Sequence, residues 1–315
     1  MTAAQADVVT GAFSYSGAAI ARELRAAGHD VTTLTGHPER APAGTPLTVA
    51  PLDFTDPAGL AQALRGAHTL YNTYWVRFAR GPVDHEAAVA NSRILFGAAA
   101  RAGVQRIVHV SITHPSPASP YPYFRGKAQV EEDLAECGVP YAIARPAVLF
   151  GGDGVLVNNI AWLLRHLPAF ALGGGGGYRI RAIHVDDLAA LCIRLGGGGD
   201  PEVVDAVGPE SLTFRELVSC IRTAVGSRAV LVPVPGGLVP VLSAALGTVL
   251  HDTLLTADEY RAMAGGLADS DGPSTGETVL TDWVRRHGDT LGRTYANEIG
   301  RHFSRPAPPA REKPR

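Results

Sequence analysis

A regular alternation over the first half of the chain limits its fold more than any other feature. Short, mostly apolar runs at Asp7–Thr10, Val31–Leu34, Leu47–Leu52, Thr69–Tyr71, Arg106–Ser111 and Tyr141–Arg145 read as strands. Between them, Gly17–Ala27, Pro57–Arg65, Asp84–Ala102 and Tyr123–Cys137 carry helical patterns. Gly28 and Gly103 stand where the first and third helices should stop, and Asp56 stands where the second needs an N-cap. Strands apolar on both faces and separated by helices predict a parallel sheet covered on both sides.

After Gly151 the pattern loosens. Helical stretches at Leu156–His166, Asp186–Leu195, Phe214–Val225, Leu238–Leu250 and Ala257–Gly265 are joined by turns rich in Gly and Pro. The runs Gly173–Gly177 and Gly196–Gly199 read as flexible surface loops, since neither lies between a strand and a helix start. The expected division is a core over 1–150, a C-terminal lobe over 151–303 with elements returning to the core, and a disordered tail over 304–315 (SRPAPPAREKPR). Ala229–Leu250 is an uncharged run of 22 residues, long enough to cross a bilayer. Pro233, Pro235 and Pro240 interrupt it, so it is expected to form a strand, a turn and a buried helix of a soluble lobe.

The 315 residues carry 28 Lys+Arg and 30 Asp+Glu, a net charge of −2 that gives no electrostatic reason to expect nucleic acid. Cys137, Cys192 and Cys220 are far apart and odd in number, which fits neither a disulfide framework nor a metal site. The N-terminus has no basic n-region and no apolar h-region. The expectation is a cytoplasmic protein, monomeric or homodimeric, with a small-molecule substrate, no metal and no membrane partner.

The sharpest local pattern is Val8-Val9-Thr10-Gly11-Ala12-Phe13-Ser14-Tyr15-Ser16-Gly17, at the first strand, a tight turn and a helix start. A Rossmann unit holds pyrophosphate at such a place with backbone N–H groups and the helix N-terminus. Gly11 permits the turn and Gly17 close helix–strand packing, while Ser14 replaces the middle glycine. After the second strand comes Leu34-Thr35-Gly36-His37-Pro38-Glu39-Arg40. No carboxylate stands at its tip, and His37 and Arg40 follow closely, which favours NADP over NAD.

These residues resemble the short-chain dehydrogenase/reductase superfamily in its extended or atypical branch, among NAD(P)H-binding, epimerase-like and complex I accessory-subunit-like proteins. The landmarks run in order. Thr10-Gly11…Gly17 resembles the glycine loop, and Leu52-Asp53, followed by Phe54, the acidic position that borders adenine. Tyr71-Asn72-Thr73 lies where the fourth strand meets the cofactor, and Asn91 matches the family's helix asparagine. Val108-His109-Val110-Ser111 resembles the strand with the active-site hydroxyl. Tyr123-x-x-x-Lys127 resembles the catalytic pair, and Arg145-Pro146 with Phe150-Gly151 the turn after the sixth strand. Ile183-His184-Val185-Asp186-Asp187 and Leu212-Thr213-Phe214-Arg215-Glu216-Leu217 resemble two elements of the C-terminal half. The resemblance implies a Rossmann-type doubly wound α/β sheet with a smaller C-terminal substrate lobe. It also implies cofactor contacts from Thr10, Gly11, Phe13, Ser14, Tyr15, Gly17, His37, Arg40, Asp53, Phe54, Asn72, Thr73, Lys127 and Pro146.

Tyr123 and Lys127 are four apart on a helix, so they share a face. A free Tyr, with a pKa of about 10, is a poor base at neutral pH. A nearby ammonium is expected to lower that value, and the lysine can also hold the nicotinamide ribose. Lys127 and Lys313 are the only lysines. Tyr121 is a rival without the lysine spacing. Ser111 or Thr113 is the third hydroxyl, with Ser111 ranked slightly ahead, and Asn91 is expected to support backbone locally and relay water. Tyr74, Trp75, Arg77 and Phe78 follow the fourth strand on the ligand edge, and Asn158, Asn159 and Trp162 could line the cleft. His184, Asp186 and Asp187 read as a helix N-cap rather than metal ligands. The expected activity is NAD(P)(H)-dependent oxidoreduction of a carbonyl or alcohol. The alternatives are a nucleotide-sugar epimerase or dehydratase, with Arg77, Arg80 and Arg125 as its only basic candidates, and a non-catalytic NAD(P)-binding sensor or assembly protein.

Overall fold

The computed structural model describes residues 5–77, 84–152 and 154–297. Phe78, Arg80 and the tail over 304–315 lie outside the described residues. The first half builds β1 (Ala6–Thr10), α1 (Tyr15–Ala26), β2 (Asp30–Thr35), β3 (Thr48–Pro51), α2 (Pro57–Ala63), β4 (Thr69–Asn72), α3 (His85–Ala102), β5 (Arg106–Val110), α4 (Pro122–Glu136) and β6 (Tyr141–Pro146). Each matches an expected element to within two residues at either end. Local chemistry explains the agreement. The Asp56 carboxylate accepts the Gly59 N–H and caps α2, and Gly103, at φ 75°, ends α3 in the left-handed conformation.

The second half builds β7 (Val148–Phe150), α5 (Val155–His166), β8 (Ala169–Gly173), β9 (Arg179–Ile180), β10 (Ala182–His184), α6 (Val185–Gly196), β11 (Glu202–Ala206), β12 (Leu212–Thr213), α7 (Phe214–Ala224), β13 (Val230–Val234), α8 (Val239–Leu250), α9 (Ala257–Ala264) and α10 (Leu280–His287). The central sheet has seven parallel strands in the order β11-β6-β5-β4-β1-β2-β3. The order reverses at β1/β4, the switch point where open α/β sheets bind ligands beyond the strands' carboxyl ends. Val9 of β1, flanked by Thr33 and Tyr71, sits at the centre of the register.

Each sheet face is sealed by an apolar layer. On one, Ile20 and Leu24 of α1 meet Leu188, Leu191 and Leu195 of α6. On the other, Leu60, Leu95, Phe96, Val130 and Leu134 of α2, α3 and α4 cover the sheet. A third cluster, including Phe150, Ile160, Leu217 and Trp283, is the core of the lobe.

Two expectations need correction. The glycine runs are surface segments only in part: Gly173, Gly176 and Gly196 are buried, while Gly174, Gly177, Gly197, Gly198 and Gly199 are exposed. A Cβ on Gly196 would lie 2.2 Å from the Tyr71 hydroxyl, and one on Gly173 2.5 Å from that of Tyr260. Arg106, 2% exposed, donates to the Leu195 and Asp200 carbonyls and so pins the second run. The strand, turn and helix expected over 229–250 are present, but the helix is not buried: only Gly247 of α8 is. No described helix is long and apolar enough to cross a membrane.

Candidate active site

The glycine loop is built as its residues require. Gly11 turns the chain at φ 66°, and a Cβ on Gly17 would lie 2.2 Å from the Gly11 carbonyl oxygen. Ser14 sits at the N-cap of α1 with extended dihedrals, yet its hydroxyl donates back to the Gly11 carbonyl at 2.6 Å and caps nothing. The first N–H groups of α1 are therefore left for an anion, which the helix dipole also favours. A dinucleotide's pyrophosphate fits this cradle. Phe13 is half-buried beside it. The Tyr15 hydroxyl reaches across to the Gly151 carbonyl at 2.6 Å, so the loop is tied to the lobe.

A buried polar network fixes the floor. Thr10 Oγ1 donates to Asn72 Oδ1 (3.2 Å) and accepts the Thr73 N–H (2.7 Å), and Thr73 Oγ1 donates to the Thr10 carbonyl (2.6 Å). Asn72 Nδ2 lies 3.0 Å from His109 Nδ1. Full burial pushes His109 well below the usual histidine range, so it is neutral and its Nδ1 can accept. Sequence reading gave His109 no role of its own.

The residues expected to face adenine and ribose lie towards the surface. The Asp53 carboxylate is folded into its own turn, accepting the N–H and hydroxyl of Thr55, which hold it below the usual carboxylate range. Phe54 packs on Tyr74 with ring centroids 4.8 Å apart. His37 is exposed and its Nδ1 lies 3.1 Å from Glu39. Arg40 stands half-buried three residues on.

Tyr123 and Lys127 project from α4, and Trp75 touches both. The Trp75 ring meets Tyr123 edge-on, with centroids 5.7 Å apart, and stacks on His85 at 5.8 Å. Lys127, 2% exposed, donates to the Val110 carbonyl at 2.9 Å. Burial lowers its pKa to about 7. Tyr123 departs from the expected lowering: burial raises its phenol well above 10, Glu259 adds to the rise, and Arg77 opposes it. Its hydroxyl makes no hydrogen bond to the described residues.

The two candidate hydroxyls differ. Thr113 Oγ1 donates to the Leu267 carbonyl at 2.9 Å, whereas Ser111 Oγ is buried with no partner. Trp75 Nε1 and His85 Nδ1 are likewise buried and unpartnered. Of the three, only His85 lines the cavity described below. Asn91 Nδ2 donates to the Tyr74 hydroxyl (2.9 Å) rather than to backbone. Pro146, at the end of β6, accepts the Thr113 N–H through its carbonyl.

A cavity of about 1300 Å³ runs from Tyr15, His85 and Tyr123 into the lobe. Its walls are mostly aliphatic and aromatic, with Leu149, Ile160, Phe170 and Leu246 among them. Its polar end holds Arg77 Nε and Glu259 Oε1, 2.7 Å apart. Asn158 and Trp162 are not brought to it. Asn158 bonds the Thr294 carbonyl and the Gly292 N–H, and Trp162 packs on His166 and Tyr295. Asn159, one residue on, lines the cavity instead. Sequence reading missed Glu259, although Thr256-x-x-Glu259 spells the capping box that α9 uses. His184 caps α6 as expected, accepting the Asp186 N–H on Nδ1. Among the described residues no cluster of His, Cys, Asp or Glu could hold a metal ion.

Fold and glycine cradle are those of a Rossmann-type domain suited to a dinucleotide. Residues 11–161 match the model of an NAD(P)H-binding family. The chain is 29% identical over 217 residues to an uncharacterized protein of Mycobacterium tuberculosis, a match covering 68% of this chain and 23% of that protein. The chain thus spans about a quarter of the length of that relative. It is also 25% identical over 232 residues to a (4-alkanoyl-5-oxo-2,5-dihydrofuran-3-yl)methyl phosphate reductase of Streptomyces griseus, covering 70% of this chain and 73% of that one. A Citrobacter triphenylmethane reductase in complex with NADP(H) shares the fold with a TM-score of 0.73, at 21% identity over 90% of this chain and 99% of that one.

Proposed function

We propose that the protein is an NAD(P)H-dependent reductase that gives a proton from Tyr123 to the carbonyl oxygen of a bulky, largely apolar substrate. One observation carries this reading: Tyr123, a phenol that burial keeps from ionising, lines the apolar cavity together with Tyr15 of α1. A neutral phenol at this position is a proton donor at every ordinary pH, which suits reduction.

The cofactor's pyrophosphate would rest on the start of α1, with Asp53 and Phe54 towards adenine and His37 and Arg40 towards the ribose 2′ position. His37 and Arg40 favour NADP, against the nearby Glu39 carboxylate. Lys127 would face the nicotinamide ribose. When bound, the reduced nicotinamide supplies the hydride that the carbonyl carbon takes up. Ser111 Oγ, lacking a protein partner, holds the substrate oxygen. Tyr123 gives that oxygen its proton as charge develops, so the carbonyl becomes an alcohol and the phenol recovers its proton from solvent. The apolar walls exclude water and strengthen both contacts. Nothing in the cavity favours a nucleotide sugar: Arg77 is paired with Glu259, and exposed Arg125 donates to the Ser119 carbonyl.

Titration with NADPH and NADH, followed by a carbonyl-substrate screen with wild type and Tyr123→Phe, tests the proposal. Cofactor binding with turnover lost in the variant is expected. Absence of binding below millimolar, or turnover unchanged in Tyr123→Phe, overturns it.

A further inference from the structure

His109 is fully buried on β5, and the proposed reaction makes no use of it. Its hydrogen bonds show why a histidine stands there. Two backbone N–H groups, which can only donate, fix the direction of every bond in the network around it. The Tyr74 N–H donates to Asn72 at 3.1 Å, so the atom it meets is the side-chain oxygen Oδ1. The Thr73 N–H donates to Thr10 Oγ1 at 2.7 Å, and the Thr10 hydroxyl proton goes to the same Asn72 oxygen. With Oδ1 accepting twice, the Asn72 amide turns Nδ2 towards His109 Nδ1. Nδ1 is therefore the bare, accepting nitrogen of a neutral ring, and the ring proton sits on Nε2. Burial favours the same neutral form.

That proton has no partner. Nε2 is buried and unpaired, and the ring packs nearly at right angles to Phe96. A buried donor without an acceptor costs stability. A leucine would fill a similar volume without that cost, but it could not accept from Asn72. What the histidine supplies is the acceptor.

The other end of the network lies under the glycine loop. Thr10 precedes Gly11, and Thr73 Oγ1 donates to the Thr10 carbonyl at 2.6 Å. A Cβ on Gly11 would lie 3.7 Å from Thr73 Oγ1. Thr10 and Asn72 are both buried, so solvent does not compete for these bonds. Without an acceptor at His109, nothing would keep Nδ2 of Asn72 turned towards β5. An inverted amide would set Nδ2 against the Tyr74 N–H, donor against donor, and would displace the Thr10 hydroxyl proton.

We propose that His109 is a positioning residue for the dinucleotide: its Nδ1 orients Asn72, and Asn72 holds Thr10 and Thr73 where the glycine loop can receive the cofactor. The inference rests on the nucleotide half of the proposed function and not on its carbonyl chemistry.

NADPH titration well below the thermal midpoint tests this on three variants. His109→Leu removes the acceptor and is expected to weaken NADPH binding about tenfold or more. His109→Asn puts an oxygen the same number of bonds from the backbone as Nδ1, and is expected to return the affinity to within about threefold of wild type. Ile107→Ala empties buried space on the same face of β5, two residues earlier. It is expected to lower the thermal midpoint and leave NADPH affinity unchanged. The positioning role is overturned if His109→Leu binds NADPH like wild type, or if His109→Asn binds it as weakly as His109→Leu. It is also overturned if Ile107→Ala loses affinity to the same degree, which would make the effect a general softening of the sheet. A wild type that binds neither NADPH nor NADH would overturn the nucleotide reading as well, so the two failures are told apart.

Discussion

The ammonium nitrogen of Lys127 lies 4.6 Å from the ring centre of Trp75, over its face. The same indole meets Tyr123 edge-on. One aromatic ring therefore contacts both polar members of the candidate site and takes up part of the lysine's charge. The remaining stabilisation comes from the Val110 carbonyl and, more weakly, from Glu131, which opposes the downward shift.

A lysine with a pKa of about 7 in the folded state and 10.5 when exposed works against stability. Between those values the unfolded chain binds more protons, so stability rises with pH. The penalty is complete below 7 and gone above 10.5. Lys127→Met is therefore expected to stabilise the fold on the order of 1–4 kcal/mol near pH 6, with the gain shrinking as pH rises from about 7 towards 10.5. Thermal unfolding of both proteins across that range checks this. A gain that grows with pH would contradict it.

Ser111 and Thr113 should separate cleanly. Ser111→Ala removes an unpartnered buried hydroxyl, so it should leave stability unchanged or slightly higher while lowering kcat/KM. Thr113→Val orphans the Leu267 carbonyl and should cost about 1–3 kcal/mol with kcat/KM retained. Urea unfolding and steady-state kinetics on the two variants decide the assignment, and the reverse pattern would make Thr113 the active hydroxyl.

Tyr123→Phe keeps the ring packing against Trp75 and His85 and removes only the proton donor. The expected result is a fall in kcat of about 10²–10⁴ with the NADPH dissociation constant unchanged within error. Isothermal titration beside kinetics distinguishes this from a general loss of the cleft.

Gly17→Val places a branched side chain where even a Cβ meets the Gly11 carbonyl. The loop must shift, and cofactor affinity should fall at least about tenfold with a stability cost of about 1–3 kcal/mol. Fluorescence titration with NADPH on a variant that still unfolds cooperatively is the measurement.

The first six strands and their helices could be read from sequence because their signals are local. Apolar runs, the Asp56 cap and the Gly103 stop act within a few residues. In the lobe, β9 and β12 are two residues each and exist only because Arg179 and Ile180 meet Thr213 and Leu212 across the fold. No local pattern announces such a pair. The apolar stretch of α8 reads as core because hydropathy records composition, not which surface a neighbour covers. At the site, Tyr123, Lys127 and Ser111 were visible as spaced residues, but the phenol's raised pKa depends on burial. Asn158 and Asn159 are indistinguishable in sequence, and the turn of α5 between them sends one towards Thr294 and the other to the cavity wall.

The place of β11 in the sheet has a consequence for synthesis. Glu202–Ala206 pairs with Ala142–Pro146 and closes that edge of the sheet. While a ribosome is making the lobe, the β6 edge stands with free N–H and carbonyl groups beside Ala142, Ile143 and Ala144, open to pairing with another chain. A fragment ending near residue 150 would keep that edge permanently. The nucleotide-binding half is therefore expected to need the lobe in order to leave the ribosome as a single, unaggregated chain.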